Sequence, residues 1–116
     1  MKNYEVKLNE KQDYGTGATR DSAVGKGRFD LIPDSALLRL AKVYEGGANN
    51  HGARNWEQGL PLSRLIDSAI RHLIQWKMSK YKPELTNEDH LLHSVWNILG
   101  IVHVEEMIER GNLPAE

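Results

Sequence analysis

A regular spacing of apolar side chains between residues 62 and 74 constrains the fold of this chain most strongly. The repeat follows the i, i+3, i+4, i+7 pattern that places side chains on one face of a helix. Its members are Leu62, Leu65, Ile66, Ala69, Ile70, Leu73 and Ile74. The pattern predicts an amphipathic helix that reaches about Ser79, with Ser63 as its N-cap.

Two further helices are predicted on either side of this repeat. The first begins near Pro33–Asp34 and ends at Gly46–Gly47, where a left-handed backbone costs little. The other begins at Thr86, which forms a capping-box pattern with Asp89, and ends at Arg110–Gly111. The apolar positions that support the two helices are Leu37, Leu38, Ala41 and Tyr44 in the first, and Leu91, Leu92, Val95, Trp96, Leu99 and Val102 in the second.

The first 33 residues are rich in glycine and charge and have no helical period, which is typical of an extended arm with loops. A short strand is possible at 4–8, where apolar and charged residues alternate. The sequence predicts an N-terminal arm at 1–23 and a single helical domain at 24–116. The expected fold is all-α, a small bundle of about three main helices with an irregular glycine-rich arm.

Composition excludes several classes of protein. The 116 residues carry a formal net charge of −1 and no cysteine, so no disulfide framework, zinc–thiolate site or overall basic field is present. Nucleic acid and membrane are therefore not expected as partners. The absence of a signal peptide or spanning segment favours the cytoplasm. A chain this small leaves much surface exposed, which favours association with copies of itself.

A first polar cluster lies before the first helix. Lys26 and Arg28 stand among glycines that would allow a ligand to approach the backbone closely. The spacing is not that of a phosphate-binding Walker loop, because Lys26 is followed by glycine. The alternative, which the pattern alone favours, is a solvated basic loop.

A second polar cluster combines the loop from His51 to Trp56 with the polar face of the central helix. In the loop, Arg54 could bind a phosphate and Trp56 could stack on a base. On the helix, Arg64, Asp67 and Arg71 share one face, where the alternative is a surface ion-pair ladder of little energetic weight.

The histidines and acidic residues leave the metal ligands undetermined. A site made of His72, Asp89, His90 and His93 can be drawn, although histidines beside an apolar face are more often hydrogen-bonded packing residues. Magnesium prefers clustered carboxylates, and helical pyrophosphohydrolases supply them from pairs one turn apart. The pair at 106 and 109 has that spacing but is typical of a solvated helix end.

Many short motifs between about residues 24 and 104 form one combined pattern. They are the string at 25–33, the motifs at 36–37, 40–45 and 47–48, His51-Gly52, Arg54-Asn55-Trp56-Glu57, Gly59 and Ser63-Arg64, and Asp67-Ser68-Ala69, Arg71-His72-Leu73, the segment 90–93 and Trp96-Asn97. Together these motifs resemble one family, the phage dATP/dGTP diphosphohydrolase N-terminal domain, a MazG-like relative.

The resemblance implies an all-α bacteriophage enzyme that converts dATP or dGTP to the monophosphate and pyrophosphate, normally with a divalent metal. The site residues that the resemblance implies are Lys26, Arg28, Arg54, Asn55, Trp56, Arg64, Arg71, His72, His93 and Asn97.

Two functions follow as hypotheses. In the first, Mg²⁺ bridges the phosphates, one set of side chains binds the nucleotide, and a catalytic set acts on water and protons. The nucleotide-binding set is Lys26, Arg28, His51, Arg54, Asn55, Trp56, Arg64, Arg71 and Asn97. That catalytic set is Asp67, His72, Asp89 and His93. In the second, the protein binds and sequesters a nucleotide-derived immune signal without turnover, which requires charge and stacking but no activated water.

Overall fold

The computed structural model describes residues 10–80 and 88–115. Its contacts separate two units, Met1–Pro33 and Asp34–Glu116. The second unit contains three helices, α1 (Asp34–His51), α2 (Leu62–Ser79) and α3 (His90–Glu109). The expected all-α fold with three main helices is therefore confirmed, whereas the boundary after residue 23 stays a prediction.

The N-terminal unit contains a small antiparallel hairpin that the sequence did not indicate. Strands β1 (Lys11–Asp13) and β2 (Thr19–Asp21) pair with Lys11 opposite Asp21. Lys11 Nζ lies 2.6 Å from Asp21 Oδ1. All residues of both strands are polar and exposed. The sequence therefore shows no alternation of apolar and polar residues, which is the pattern that predicts a half-buried strand. The strand predicted at 4–8 lies outside the described residues.

Helix α1 continues one turn further than predicted. It passes through Gly46 and Gly47 and ends at His51, so the predicted end at the glycine pair is wrong. The chain leaves the helix at Gly52, whose φ is 92° and whose N–H donates to the carbonyl of Ala48 at 2.9 Å. Glycine lowers helix stability without ending a helix, and the left-handed residue that ends this one lies five positions later.

Helix α2 has nearly the predicted bounds but a different N-terminus. Pro61 occupies the N-cap position, and its carbonyl accepts the N–H groups of Arg64 at 3.0 Å and Leu65 at 3.1 Å. The predicted cap, Ser63, is an exposed residue within the first turn. Proline just outside the helix serves here because it has no N–H group to satisfy.

Helix α3 begins later than predicted, because Glu88 and Asp89 are not helical. Asp89 is itself the N-cap, and its Oδ1 accepts the N–H of Leu92 at 3.5 Å. The predicted cap, Thr86, lies outside the described residues. The helix ends at Glu109 and the chain turns at Gly111, with φ 77°, which confirms the predicted end.

The α2–α3 interface forms the centre of the second unit. Leu65 and Ala69 of α2 and Leu92 and Val104 of α3 are the buried apolar side chains of the described residues. Gly100 permits close contact, since a Cβ there would lie 3.1 Å from Leu65 Cδ2. Polar groups are buried in the same interface, which lowers its apolar content.

Much of the apolar repeat on α2 remains exposed. Ile66, Ile70, Leu73 and Ile74 each leave between 47% and 54% of their surface accessible. Among the described residues of α2, the buried side chains are Leu65, Ala69 and His72, on the face that packs against α3. The repeat therefore predicted the helix correctly but only part of it contributes to the core of a single chain. No helix among the described residues is long and apolar enough to cross a membrane.

Candidate functional site

A cavity of about 350 Å³ lies in the second unit, between the end of α1, the short 3-10 helix Asn55–Gln58 and α3. We call it the aromatic cavity, because Tyr44, Trp56 and Trp96 form part of its wall. Four residues predicted from the loop sequence line it. They are His51, Arg54, Asn55 and Trp56.

The aromatic rings of this cavity contact one another edge-on or tilted. The Tyr44 ring centroid lies 6.0 Å from that of Trp56 and 6.1 Å from that of Trp96. On its other side Trp56 meets His103, with ring centroids 4.9 Å apart. Such pairs hold aromatic side chains in place and offer flat apolar surface to a ligand. Burial raises the pKa of the Tyr44 phenol, so the ring keeps its proton to higher pH than an exposed tyrosine does.

Arg54 stands at the turn that leads from α1 into the 3-10 helix. Among the described residues it is the one non-glycine residue with positive φ, at 63°. Its guanidinium forms an ion pair with Glu57, which raises the pKa of Arg54, and lies 5.9 Å from the centroid of the Trp56 ring. The backbone turn thus brings a cation beside the indole of the cavity wall.

A second cavity, of about 380 Å³, lies between the first turns of α2 and the middle of α3. We call it the cationic cavity, because Arg64 and Arg71 line it. Asp67 and Asn97, also predicted, line it too. In the described part of the chain no ion pair joins Asp67 to either arginine, so the alternative of a surface ion-pair ladder does not hold.

The polar side chains of the cationic cavity are held by neighbours on their own helices. Arg71 donates to Ser68 Oγ at 3.3 Å, and Asn97 donates through Nδ2 to the carbonyl of His93 at 2.8 Å. Asn97 is buried, at 5% exposure. Because the Asn97 amide is buried and hydrogen-bonded to the preceding turn of α3, its position is fixed.

The two cavities adjoin, because Leu60 and Trp96 belong to the walls of both. One side is flat and aromatic, and the other carries two arginines. A ligand with a planar ring and an anionic tail fits this arrangement, with the ring against the aromatic side and the tail toward the arginines.

Three histidines form a separate cluster between α2 and α3. His72 Nδ1 lies 2.8 Å from His90 Nδ1, and the His72 and His93 rings stack with centroids 5.0 Å apart. Burial lowers the pKa of His72, and the charges of His93, Arg71 and His90 lower it further, with Glu88 opposing them. Neither His72 nor His93 lines the two cavities, and their predicted part in proton transfer stays a prediction.

The other predicted residues lie elsewhere. Asp89 forms an ion pair with Arg39, which holds the pKa of the Asp89 carboxyl below its usual range. Lys26 and Arg28 belong to the N-terminal unit, where Arg28 pairs with Asp30 at 2.7 Å. Their predicted roles in phosphate binding and catalysis stay predictions.

Residues 16–112 match the family described as dATP/dGTP diphosphohydrolase, N-terminal. The chain belongs to this family. This confirms the resemblance found in the sequence.

A relative of the family domain is a dATP/dGTP diphosphohydrolase from Salmonella phage PMBT28. The two are 30% identical over 77 residues, which cover 66% of this chain and 26% of the phage protein. The chain therefore spans about a quarter of the length of this relative. No solved structure matches the chain.

Two wall residues of this family domain were not predicted from the sequence as site residues. Tyr44 and Trp96 stand at apolar helix positions, where their spacing fits a core equally well. The available signal was their type, since Tyr and Trp carry a polar group that a dry core has to satisfy. Tyr44 lies near the end of the helix that precedes the polar loop, whereas Trp96 lies on α3, which is distant from that loop in sequence.

Proposed function

We propose that this family domain binds dATP- or dGTP-type nucleoside triphosphates and hydrolyses them to the monophosphate and pyrophosphate. The adjoining walls of the two cavities carry this proposal. The purine base would stack against Tyr44, Trp56 or Trp96, and the phosphates would extend past Trp96 toward Arg64 and Arg71. A volume of about 350 Å³ lies within the range usual for small-molecule sites.

The residues of the cationic cavity have distinct tasks in this proposal. Arg64 and Arg71 offset the charge that builds up on the leaving pyrophosphate. Asn97 donates a hydrogen bond to a phosphate oxygen, and the Asp67 carboxylate orients the attacking water. His51 and Asn55 present polar groups to the edge of the base.

Magnesium fits this site with few protein ligands. Within the described residues, the walls of the two cavities contain one carboxylate, that of Asp67, and it lines the cationic cavity. Mg²⁺ is commonly held by one or two carboxylates together with substrate phosphates and water, so Asp67 would supply the protein ligand. When bound, the ion neutralises phosphate charge and lowers the pKa of a bound water.

Product analysis of a nucleotide panel tests the proposal. The protein is incubated with Mg²⁺ and each triphosphate, and the products are separated by chromatography before and after heat denaturation. Release of monophosphate and pyrophosphate from dATP or dGTP, lost in an Asp67→Asn variant, is the expected result. Intact triphosphate in every sample would contradict hydrolysis.

The single carboxylate also favours a second candidate function, in which a nucleotide-derived immune signal is bound and held without turnover. Arginine and tryptophan suffice for binding, whereas hydrolysis needs an oriented water. In the same experiment, a cyclic or linear nucleotide would disappear from the free pool and return unchanged after heating. Chemical conversion would exclude this function for that nucleotide.

We further propose that the domain assembles with copies of itself in the host cytoplasm. Exposed apolar side chains on α2 and α3 support this, because isoleucines and valines at half exposure on neighbouring helices form an apolar surface that monomers rarely retain. The net charge of −1 supports neither nucleic acid nor an anionic membrane as the partner. Light scattering of the purified chain measures the assembly size.

A further inference from the structure

The histidine cluster contains an arrangement that neither of the two cavities uses. One ring nitrogen of His72, one of His90 and a carboxylate oxygen of Glu88 all lie within 4.8 Å of one another. We propose that these three residues bind a first-row transition-metal ion, with Zn²⁺ as the best fit. The proposal is independent of the nucleotide function, because it requires no ligand in either cavity.

Two of the three donor separations are close to those that a tetrahedral ion requires. With metal–nitrogen bonds of about 2.0–2.1 Å, two nitrogen ligands lie about 3.3–3.4 Å apart. His72 Nδ1 and His90 Nδ1 are 2.8 Å apart, and His90 Nδ1 lies 3.7 Å from Glu88 Oε2. These separations stand on either side of the required one, so shifts of about half an ångström bring both to it. The third pair, His72 and Glu88, lies within 4.8 Å, and adjustment of the largely exposed Glu88 side chain closes that distance.

The chemistry of the donors selects the metal. Imidazole suits zinc and its neighbours in the first transition row, whereas Mg²⁺ and Ca²⁺ prefer oxygen ligands throughout. Two histidines and one carboxylate make a three-ligand set that leaves one coordination position open. Glu88 is on the solvent side, with 57% of its side chain exposed, so the open position is accessible to water.

The surroundings hold the two imidazoles in position. His72 and His90 are 8% and 7% exposed, and they stand on two helices that pack against each other. The His93 ring stacks on His72 at an interplanar angle of 26°. Between Glu88 and His90, the Asp89 carboxylate is fixed by Arg39, which restrains the backbone that carries both ligands.

The alternative interpretation is a simple hydrogen bond between two neutral imidazoles. That bond requires one Nδ1 to donate and the other to accept. Metal binding instead requires both Nδ1 atoms as acceptors, with the protons at Nε2. The observed geometry fits the hydrogen bond and lies within a small side-chain shift of the metal-bound arrangement, so the measurement has to detect the ion itself.

Calorimetric titration of tag-free, chelator-treated protein with zinc chloride, in the absence of nucleotide, tests the site. We expect one ion per chain, and a visible absorption spectrum of four-coordinate cobalt when Co²⁺ replaces Zn²⁺. His90→Asn should abolish binding and Glu88→Gln should weaken it at least ten-fold. His51→Gln, which removes an exposed histidine outside the cluster, should bind as the parent does.

Failure of the parent to bind Zn²⁺ overturns the proposal, and so does unchanged affinity in Glu88→Gln. Because Glu88 is largely exposed, its variant is expected to fold and decides the matter even where His90→Asn does not fold. Equal loss of binding in His51→Gln would show that the ion binds at surface histidines, which also overturns the assignment.

Discussion

Arg39 of α1 holds Asp89 by two hydrogen bonds, from Nε to Oδ2 at 2.9 Å and from Nη2 to Oδ1 at 2.6 Å. The same carboxylate caps α3, so one side chain fixes the start of a helix and ties it to another helix. Asp89→Ala removes both contacts and should destabilise the domain by about 0.5–2 kcal/mol through the cap alone. Arg39→Gln removes only the partly exposed pair and should cost at most about 1 kcal/mol.

Urea unfolding of both variants measures this difference. Equal loss of stability in the two would show that the cap contributes nothing. If Asp89→Ala instead leaves stability unchanged and abolishes nucleotide hydrolysis, Asp89 has the catalytic role that the sequence indicated.

Arg71 lines the cationic cavity, and among the described residues its side chain donates to Ser68. Arg71→Ala should weaken nucleotide binding at least about ten-fold, since a hydrogen bond to a charged group contributes about 1.5–3 kcal/mol. Arg20→Ala, which removes an exposed cation of β2, is the matched control and should bind normally. Titration of both variants with labelled dATP or dGTP gives the comparison, and parent-like affinity in Arg71→Ala would place the phosphates elsewhere.

Ile70 is 54% exposed on the apolar face of α2. Ile70→Glu should weaken self-association at least about ten-fold, because burying an isoleucine side chain contributes about 1.5–3 kcal/mol. Ala18→Glu adds the same charge in the N-terminal hairpin and should leave the assembly unchanged. Sedimentation velocity separates these outcomes, and a parent chain that sediments as a monomer would contradict the proposed assembly.

Tyr44 gives the domain a defined response to alkaline pH. Burial raises the pKa of its phenol above 10.0, so between the unfolded and folded pKa values the folded chain keeps a proton that the unfolded chain has lost. The free energy of unfolding should therefore fall as pH rises above about 10, and by less in Tyr44→Phe. Unfolding curves of the two proteins at rising pH test this, and parallel losses would assign the effect to other groups.

Two glycines should respond in opposite directions to alanine. Gly46 lies within α1 with open space around it, so Gly46→Ala should stabilise the domain by about 0.5–1 kcal/mol. Gly59 has φ 98°, and a Cβ there would lie 2.9 Å from Leu113 Cδ1, so Gly59→Ala should destabilise it by more than about 1 kcal/mol. Thermal unfolding gives both signs, and a stabilised Gly59→Ala would show that Leu113 moves away freely.

The sequence predicted individual helices better than the contacts between them. The spacing from Leu62 to Ile74 identified α2, because periodicity reports which face of a helix is apolar. It does not report which surface covers that face, and Ile70 and Ile74 are not covered within the chain. The end of α1 was misplaced because a glycine pair and a left-handed glycine look alike in a sequence, although only Gly52 has the conformation that ends the helix.

The candidate site was predicted in the same partial way. Arg54 and Trp56 were predicted because a cation and an indole lie close together in a loop rich in glycine and asparagine. Arg64 and Arg71 were predicted because their spacing places them on one face of a helix. Asp89 and Arg39 are 50 positions apart in sequence, and no local pattern indicates a contact of that kind. Pairings at such separations depend on how helices pack, which a single sequence leaves open.

One indole, that of Trp96, borders both cavities. The two surfaces are therefore joined through this shared side chain, although most of their wall residues belong to one cavity only. A change at Tyr44 or Trp56 adjusts the aromatic side alone, and a change at Arg64 or Arg71 the cationic side alone, whereas any replacement of Trp96 alters both together. We therefore expect that relatives with other nucleotide preferences differ first at residues that line one cavity only, such as Tyr44 or Arg64. Trp96 is expected to tolerate less change than these residues.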